Sequence, residues 1–316
     1  MRRTALCTIA IAFLCAFQTA PAQAQGRVFV AAQGLDSNPC TFAQPCRSFQ
    51  RAHDVLATDG EIDVLDPAGY GAVTITKSIS IQGHGFAGLA VTFGTGMTIN
   101  AGANDKINLR GLLIDGVGTG NVGIQFNAGG SLNIQDCLVR NFTQFGIRVS
   151  GSAQLHISDT LVADITANPP TSTAGQGIKI DPSAGNVTAV LSRVRVDGAH
   201  FVGLAAGDAN QNSAVVNISV EDSEISNSSA GFGILASAPV PSSAQVMVRN
   251  SSFNYNFIGI QAQQSANAIV RVTRSSITGN ATGVVGSAPA IVYSYGDNSL
   301  DGNTANGAFT STIPLQ

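Results

Sequence analysis

Ile134-Gln135-Asp136-Cys137-Leu138-Val139-Arg140-Asn141, Val220-Glu221-Asp222-Ser223-Glu224-Ile225-Ser226-Asn227 and Val272-Thr273-Arg274-Ser275-Ser276-Ile277-Thr278-Gly279 are three copies of one pattern. Each places an apolar residue, a polar one in a turn position, a small residue, a second apolar residue and finally Asn or Gly. A Gly-apolar pair follows such segments, beginning at Gly123, Gly146, Gly177, Gly203, Gly233, Gly259, Gly283 and Gly307, 23 to 31 residues apart. Self-similarity at about 26 residues marks a solenoid, whereas propeller blades need about 40 or more.

Within each unit β-branched residues alternate with polar ones in short runs, the period of strands and not of helices. Gly, Asn, Asp and Ser stand between the runs, where sharp turns demand residues that tolerate the left-handed region. A leucine-rich repeat of this length would show Leu at fixed positions and room for a helix, and neither is present. The pattern therefore predicts an all-β fold, a right-handed parallel β-helix of about 9–10 coils. Two inward columns are expected: Ile114, Val139, Val162, Val196, Ile225, Phe253, Ile277 and Leu300, and Ile124, Ile147, Ile178, Leu204, Ile234, Ile260 and Val284. Less regular units are expected at Val73-Ile75-Ile79-Ile81 and at Val91-Phe93-Ile99.

The open end of a solenoid needs a cap. Phe49, Ala52 and Leu56 fall at helical spacing behind Ser48, a good N-cap residue, which predicts one short helix at the N-terminal end. The expected organisation is a signal peptide over 1–24, a cap over 25–60, the β-helix over 61–310 and a tail over 311–316. Arg2 and Arg3, the apolar run Ala5 to Phe17 and the small residues up to Ala24 have the layout of a secretory signal, cleaved after Ala22 or Ala24, and the run is too short to span a membrane. Export would leave Cys40, Cys46 and Cys137. Compartment and spacing point to a Cys40–Cys46 disulfide, with Cys137 an inert core thiol.

The 316 residues are 44% hydrophobic and only 11% charged, with a net charge of −3. That excludes a disordered chain or long coiled coil, and it leaves no basic excess for nucleic acid. Nothing after Gly307 would form a membrane barrel, and the mature chain is expected in the periplasm, at the cell surface or outside the cell.

The repeat, together with the opening from Asp36-Ser37-Asn38-Pro39-Cys40 to Cys46-Arg47-Ser48-Phe49, resembles the secreted right-handed β-helix proteins of bacteria, grouped with pectate lyases and other polysaccharide-active enzymes. The resemblance implies a protein that binds or lies against extracellular polysaccharide. It does not fix chemistry, because such scaffolds host lyases, hydrolases, adhesins and inert rods. A pectin-hydrolase-like member would carry paired aspartates, then Gly-His-Gly, then Arg-x-Lys. Here Gly83-His84-Gly85 comes before any paired carboxylates, and it reads as a histidine in a turn without an orienting partner.

Aligned coils place Asp136, Asp159, Arg193, Asp222, Asn250, Arg274 and Asp297 in one column, which reads as a solvated ladder. Calcium as a cofactor needs six to eight oxygens, more than this column offers, so no metal is assigned. The candidate binding face comprises Gln125, Asn127, Arg148, Lys179 and Asp181, expected to point outward from three successive coils. The insertion from Ile165 to Gln176 would wall it, Ala205 and Gly207 would leave space beside it, and no aromatic ring is expected there. Elsewhere Tyr255, Tyr293 and Tyr295 are candidate sugar platforms. A lyase or hydrolase working over Arg148 and Lys179, and a structural or adhesive rod, remain as alternatives. His53, His84, His156 and His200 fall on separate coils without a triad arrangement.

Overall fold

Like residues stack on like residues throughout the computed structural model, which describes residues 25–168 and 173–314. The expected signal segment 1–24, with Cys7 and Cys15, and the Pro169-Pro170 tip of the insertion lie outside these residues. The chain winds into a right-handed parallel β-helix, and ten described strands, from Val73–Ile75 to Ala305–Gly307, form one continuous face with a strand from each coil. A second face carries longer strands such as Ser131–Gln135, Ala153–Ser158, Ala184–Ser192 and Ser213–Glu221, and a third carries three-residue strands such as Leu138–Arg140.

Both predicted columns hold residue by residue. Ile114, Val139, Val162, Val196, Ile225, Phe253, Ile277 and Leu300 are successive register partners. Ile124, Ile147, Ile178, Leu204, Ile234, Ile260 and Val284 are too, and Met97 extends that column upstream. Each fully buried member contributes about 1.5–3 kcal/mol. In the irregular early coils Phe93 departs from expectation. It is 88% exposed, because it lies in the bend before Gly94 while Val91 and Ile99 turn inward.

The corners explain the polar part of the repeat. Asp136, Asp159, Arg193, Asp222, Asn250 and Arg274 all have φ between 47° and 53°, and five residues later Asn141, Asp164, Asn227 and Tyr255 have φ between 53° and 61°. One left-handed residue on either side of each three-residue strand bends the chain sharply, and Asn, Asp and Gly pay least for that conformation. The expected ladder forms on the first corner: Arg193 donates to both Asp159 oxygens at 2.6 and 2.7 Å, and Asn250 donates to Asp222 at 2.6 Å.

The glycines that mark the period answer a different demand. A Cβ on Gly146 would lie 2.7 Å from the Gly177 carbonyl oxygen and 2.5 Å from Val162 Cγ1; on Gly177 it would meet Gly203 O at 2.7 Å. Here the backbone of one coil approaches the next too closely for any side chain.

Two buried polar stacks were not foreseen. Asn256 Oδ1 accepts from the Ser228 N–H, Asn280 Oδ1 from Asn256 N–H and Asn303 Oδ1 from Asn280 N–H, at 2.9–3.0 Å. Their amide groups donate to the Ile225, Phe253 and Ile277 carbonyls, so the buried groups are satisfied. At the other corner the Ser223, Ser251 and Ser275 hydroxyls each accept from the backbone N–H of the preceding coil. Cys137 starts this second stack, its N–H donating to Thr160 Oγ1. Burial pushes its thiol up to about 11, as expected of an inert core residue.

The capping helix spans Phe49–Val55, with Ser48 Oγ accepting from the Arg51 N–H at 3.2 Å. Leu56 is not a helical residue, as its spacing implied. It is the C-cap and starts the strand Leu56–Val64, where it stands in register with Gln25 of the upstream strand Gln25–Val30. Cys40 and Cys46 are disulfide-bonded beside the cap, and the strand Gln25–Val30 pairs in parallel with Leu56–Val64.

Replacing Gly177 by alanine should cost about 1–3 kcal/mol through overpacking. Ile178→Ala next to it should cost about 2–5 kcal/mol through a cavity. Urea unfolding at neutral pH measures both; an unchanged midpoint for Gly177→Ala would contradict the close backbone approach.

Candidate functional site

The ten-stranded face brings the five predicted residues together. Gln125, Arg148 and Lys179 are register partners on the strands Val122–Ala128, Phe145–Val149 and Gln176–Ile180. Outward positions on consecutive parallel strands lie one strand spacing apart, which sets these side chains side by side. On one side Gln125 donates to Asn127 Oδ1 at 2.9 Å and to Ser150 Oγ at 3.0 Å, and Asn127 donates to Asn100 Oδ1 at 2.9 Å.

On the other side the charges form a chain. Arg148 donates from Nε and Nη2 to the two Asp181 oxygens at 3.1 and 2.8 Å. Lys179 Nζ lies 3.3 Å from Asp181 Oδ2 and 2.7 Å from Asp208 Oδ2. The Asp181 side chain is only 5% exposed, which explains why two cations converge on it. Hydrogen bonding to Asp181 raises the Arg148 guanidinium further above its usual range. Burial pushes the Asp208 carboxyl up, but the Lys179 ammonium and the Asn210 N–H groups outweigh that, and the net shift is downward. Asp208 was not picked out by sequence reasoning; it follows Gly207, whose φ of 81° turns the chain back over the face.

The expectation of a face without aromatic rings is wrong. Arg148 Cζ lies 4.9 Å and Lys179 Nζ 5.7 Å from the centre of the Phe145 ring. Beside them is a depression of about 360 Å³ lined by Lys179, Asp208, Ala205, Leu235, Phe201 and Phe232 among others. Phe201 and Phe232 meet edge to face, with centroids 5.5 Å apart. These phenylalanines precede or open their strands, two or three residues before the inward column, a position that periodicity assigns to a turn. Ala205 and Gly207 line the depression as expected, and so do Thr173 and Gln176 from the insertion. Tyr255, Tyr293 and Tyr295 do not line it.

Gly83-His84-Gly85 also differs from expectation. His84 does have an orienting partner, with Nε2 2.6 Å from Asp63 Oδ1 on the preceding coil. Among the described residues no three His, Cys, Asp or Glu side chains gather as a metal-ligating group, and no helix is long and apolar enough to cross a membrane.

The sequence model of the right-handed β-helix region matches residues 61–220, just over half of the chain. The chain belongs to the right-handed β-helix family. Among solved structures this β-helix protein is similar to pectate lyase Pel9A, with a TM-score of 0.67 and 14% identity over 92% of this chain and 78% of the other. It is also similar to an alginate lyase from Paenibacillus sp. str. FPU-7, with a TM-score of 0.62 and 12% identity over 92% of this chain and 100% of that one. At such identities the likeness is one of fold. No curated protein matches the sequence.

The charge chain can be tested by pH. A depressed carboxyl stabilises the fold above the ordinary carboxylate range and loses that contribution as pH falls through its folded value. Lys179→Met should therefore cost about 1–2 kcal/mol at pH 7. The deficit should shrink as pH falls below about 4, where the wild type loses the same interaction. Urea unfolding of both proteins across that range checks it; a deficit independent of pH would contradict the pairing with Asp208.

Proposed function

We propose that the protein is exported and binds extracellular polysaccharide across the face formed by Gln125, Asn127, Arg148, Lys179 and Asp181, with the sugar seated beside Phe201 and Phe232. The observation that carries this is the depression of about 360 Å³, which sets two aromatic side chains against the Lys179–Asp208 pair. A pyranose offers an apolar C–H face and a rim of hydroxyls that both donate and accept. Aromatic rings suit the first and paired opposite charges the second. Two cations and two carboxylates cancel, so recognition here rests on hydrogen bonding and stacking more than on net charge.

The two structural neighbours, a pectate lyase and an alginate lyase, agree in substrate class with this proposal. The charged and apolar segment over residues 2–24 and the Cys40–Cys46 disulfide support export. Arg148 is held bidentately by Asp181, which favours binding over a lyase role in which a free cation meets a uronate.

Affinity electrophoresis against a panel of neutral and acidic polysaccharides tests this. At least one should retard the protein, and the Phe201→Ala/Phe232→Ala double variant should bind about tenfold more weakly with its thermal midpoint preserved. Absence of retardation by every polysaccharide, or a double variant that binds as well as wild type, would overturn the proposal.

A further inference from the structure

On the longer-strand side of the early coils, the strand Ile79–Ala90 is interrupted by a bulge. Its register against Lys106–Asp115 jumps between Gln82 and Ala87. Bulges re-aim side chains, and this one turns out His84 with φ at 55°, a conformation a histidine adopts at a cost. The ring is fixed from two directions: Nε2 sits 2.6 Å from Asp63 Oδ1, and Phe86 stacks on it with centroids 5.7 Å apart. Arg27 Nη1 lies 4.0 Å from Asp63 Oδ2 and its Nη2 pairs with Glu61. Nδ1 of His84 is left for another partner.

His84 lines a depression of about 500 Å³ with Gln82, Gly85, Arg110, Gly111 and Asp136. Arg110 uses only Nε, on Asp136 at 3.2 Å, so both terminal nitrogens are uncommitted among the described residues. Phe86, the ring stacked on His84, lines a second depression of about 310 Å³. Apart from Asp115 its lining side chains are apolar, including Leu89, Leu113 and Val117. An oriented imidazole and a guanidinium with spare donors thus line one depression, and the ring stacked on that imidazole lines an apolar one.

We propose that this bulge is a hydrolytic site for esters of short hydrophobic acyl groups, with the acyl chain in the Phe86 pocket and the alcohol side in the His84 depression. His84 Nδ1 takes a proton from water as the water oxygen bonds to the ester carbonyl carbon, and Arg110 stabilises the oxyanion. Collapse breaks the bond to the alcohol oxygen, which takes the proton back from His84, releasing a carboxylic acid and an alcohol. Asp63 is a positioning residue that holds the imidazole ring's other nitrogen. The site is separate from the glycan face and does not depend on it.

The test is hydrolysis of p-nitrophenyl acetate, butyrate and hexanoate by the purified protein at neutral pH. Saturable release is expected, with butyrate or hexanoate favoured over acetate. His84→Gln and Arg110→Ala should each lower kcat/KM at least about tenfold, while the exposed His156→Gln on the same side leaves it unchanged. Phe86→Ala should alter the chain-length preference, and Asp63→Asn should lower kcat with KM preserved. Thermal midpoints show which variants fold, and Arg110→Ala, altered at a half-exposed side chain, carries the test if His84→Gln does not. Absence of saturable release, or full activity in folded His84→Gln or Arg110→Ala, would overturn the proposal.

Discussion

Parallel hydrogen bonding between one coil and the next imposes a constraint from which the rest of the molecule follows: each position must sit directly over its equivalent. A side chain that points inward once must point inward in every coil, so Val139, Val162 and Val196 share an environment and a chemistry. The same rule acts on polar groups. Asn256, Asn280 and Asn303 are tolerable inside only because each satisfies its neighbours in the stack. Upstream, Phe142, Ile165 and Ala199 fill that corner with apolar groups.

Stacking also governs what the outer surface can do. Outward side chains one strand spacing apart must be compatible, and the Arg148, Asp181, Lys179 and Asp208 chain is one solution, in which each charge meets an opposite one. At the two candidate sites a concave surface arises where the regular winding is relieved. Small residues at Ala205 and Gly207 do this beside Phe201 and Phe232, and a bulge does it at His84. Both candidate sites thus sit at local departures from the repeat.

Regular features were legible in the sequence because one coil repeats the residue pattern of another. The Ile and Val columns, the glycine spacing and the Asp-rich corner each recur often enough for their register to be read without coordinates. Helix and disulfide were legible from local spacing, although Leu56 was drawn into a strand by a distant upstream partner, Gln25. The site was half legible: Gln125, Arg148 and Lys179 followed from the column rule, while Phe145, Phe201 and Phe232 stand outside the alternating positions. His84 and Asp63 are 21 residues apart in an early region with weak repeats, so no alignment of coils put them together.

Vertical register is tested most directly by paired cysteines on exposed positions. Thr188 and Asn217 are partners on the longer-strand face, whereas Ser219 is two residues further along the same strand. Neighbouring strands about 4.8 Å apart suit a disulfide. The account predicts that Thr188→Cys/Asn217→Cys closes to a disulfide on mild oxidation, seen by mass spectrometry, and that Thr188→Cys/Ser219→Cys does not. Cross-linking of the second pair in preference to the first would contradict it.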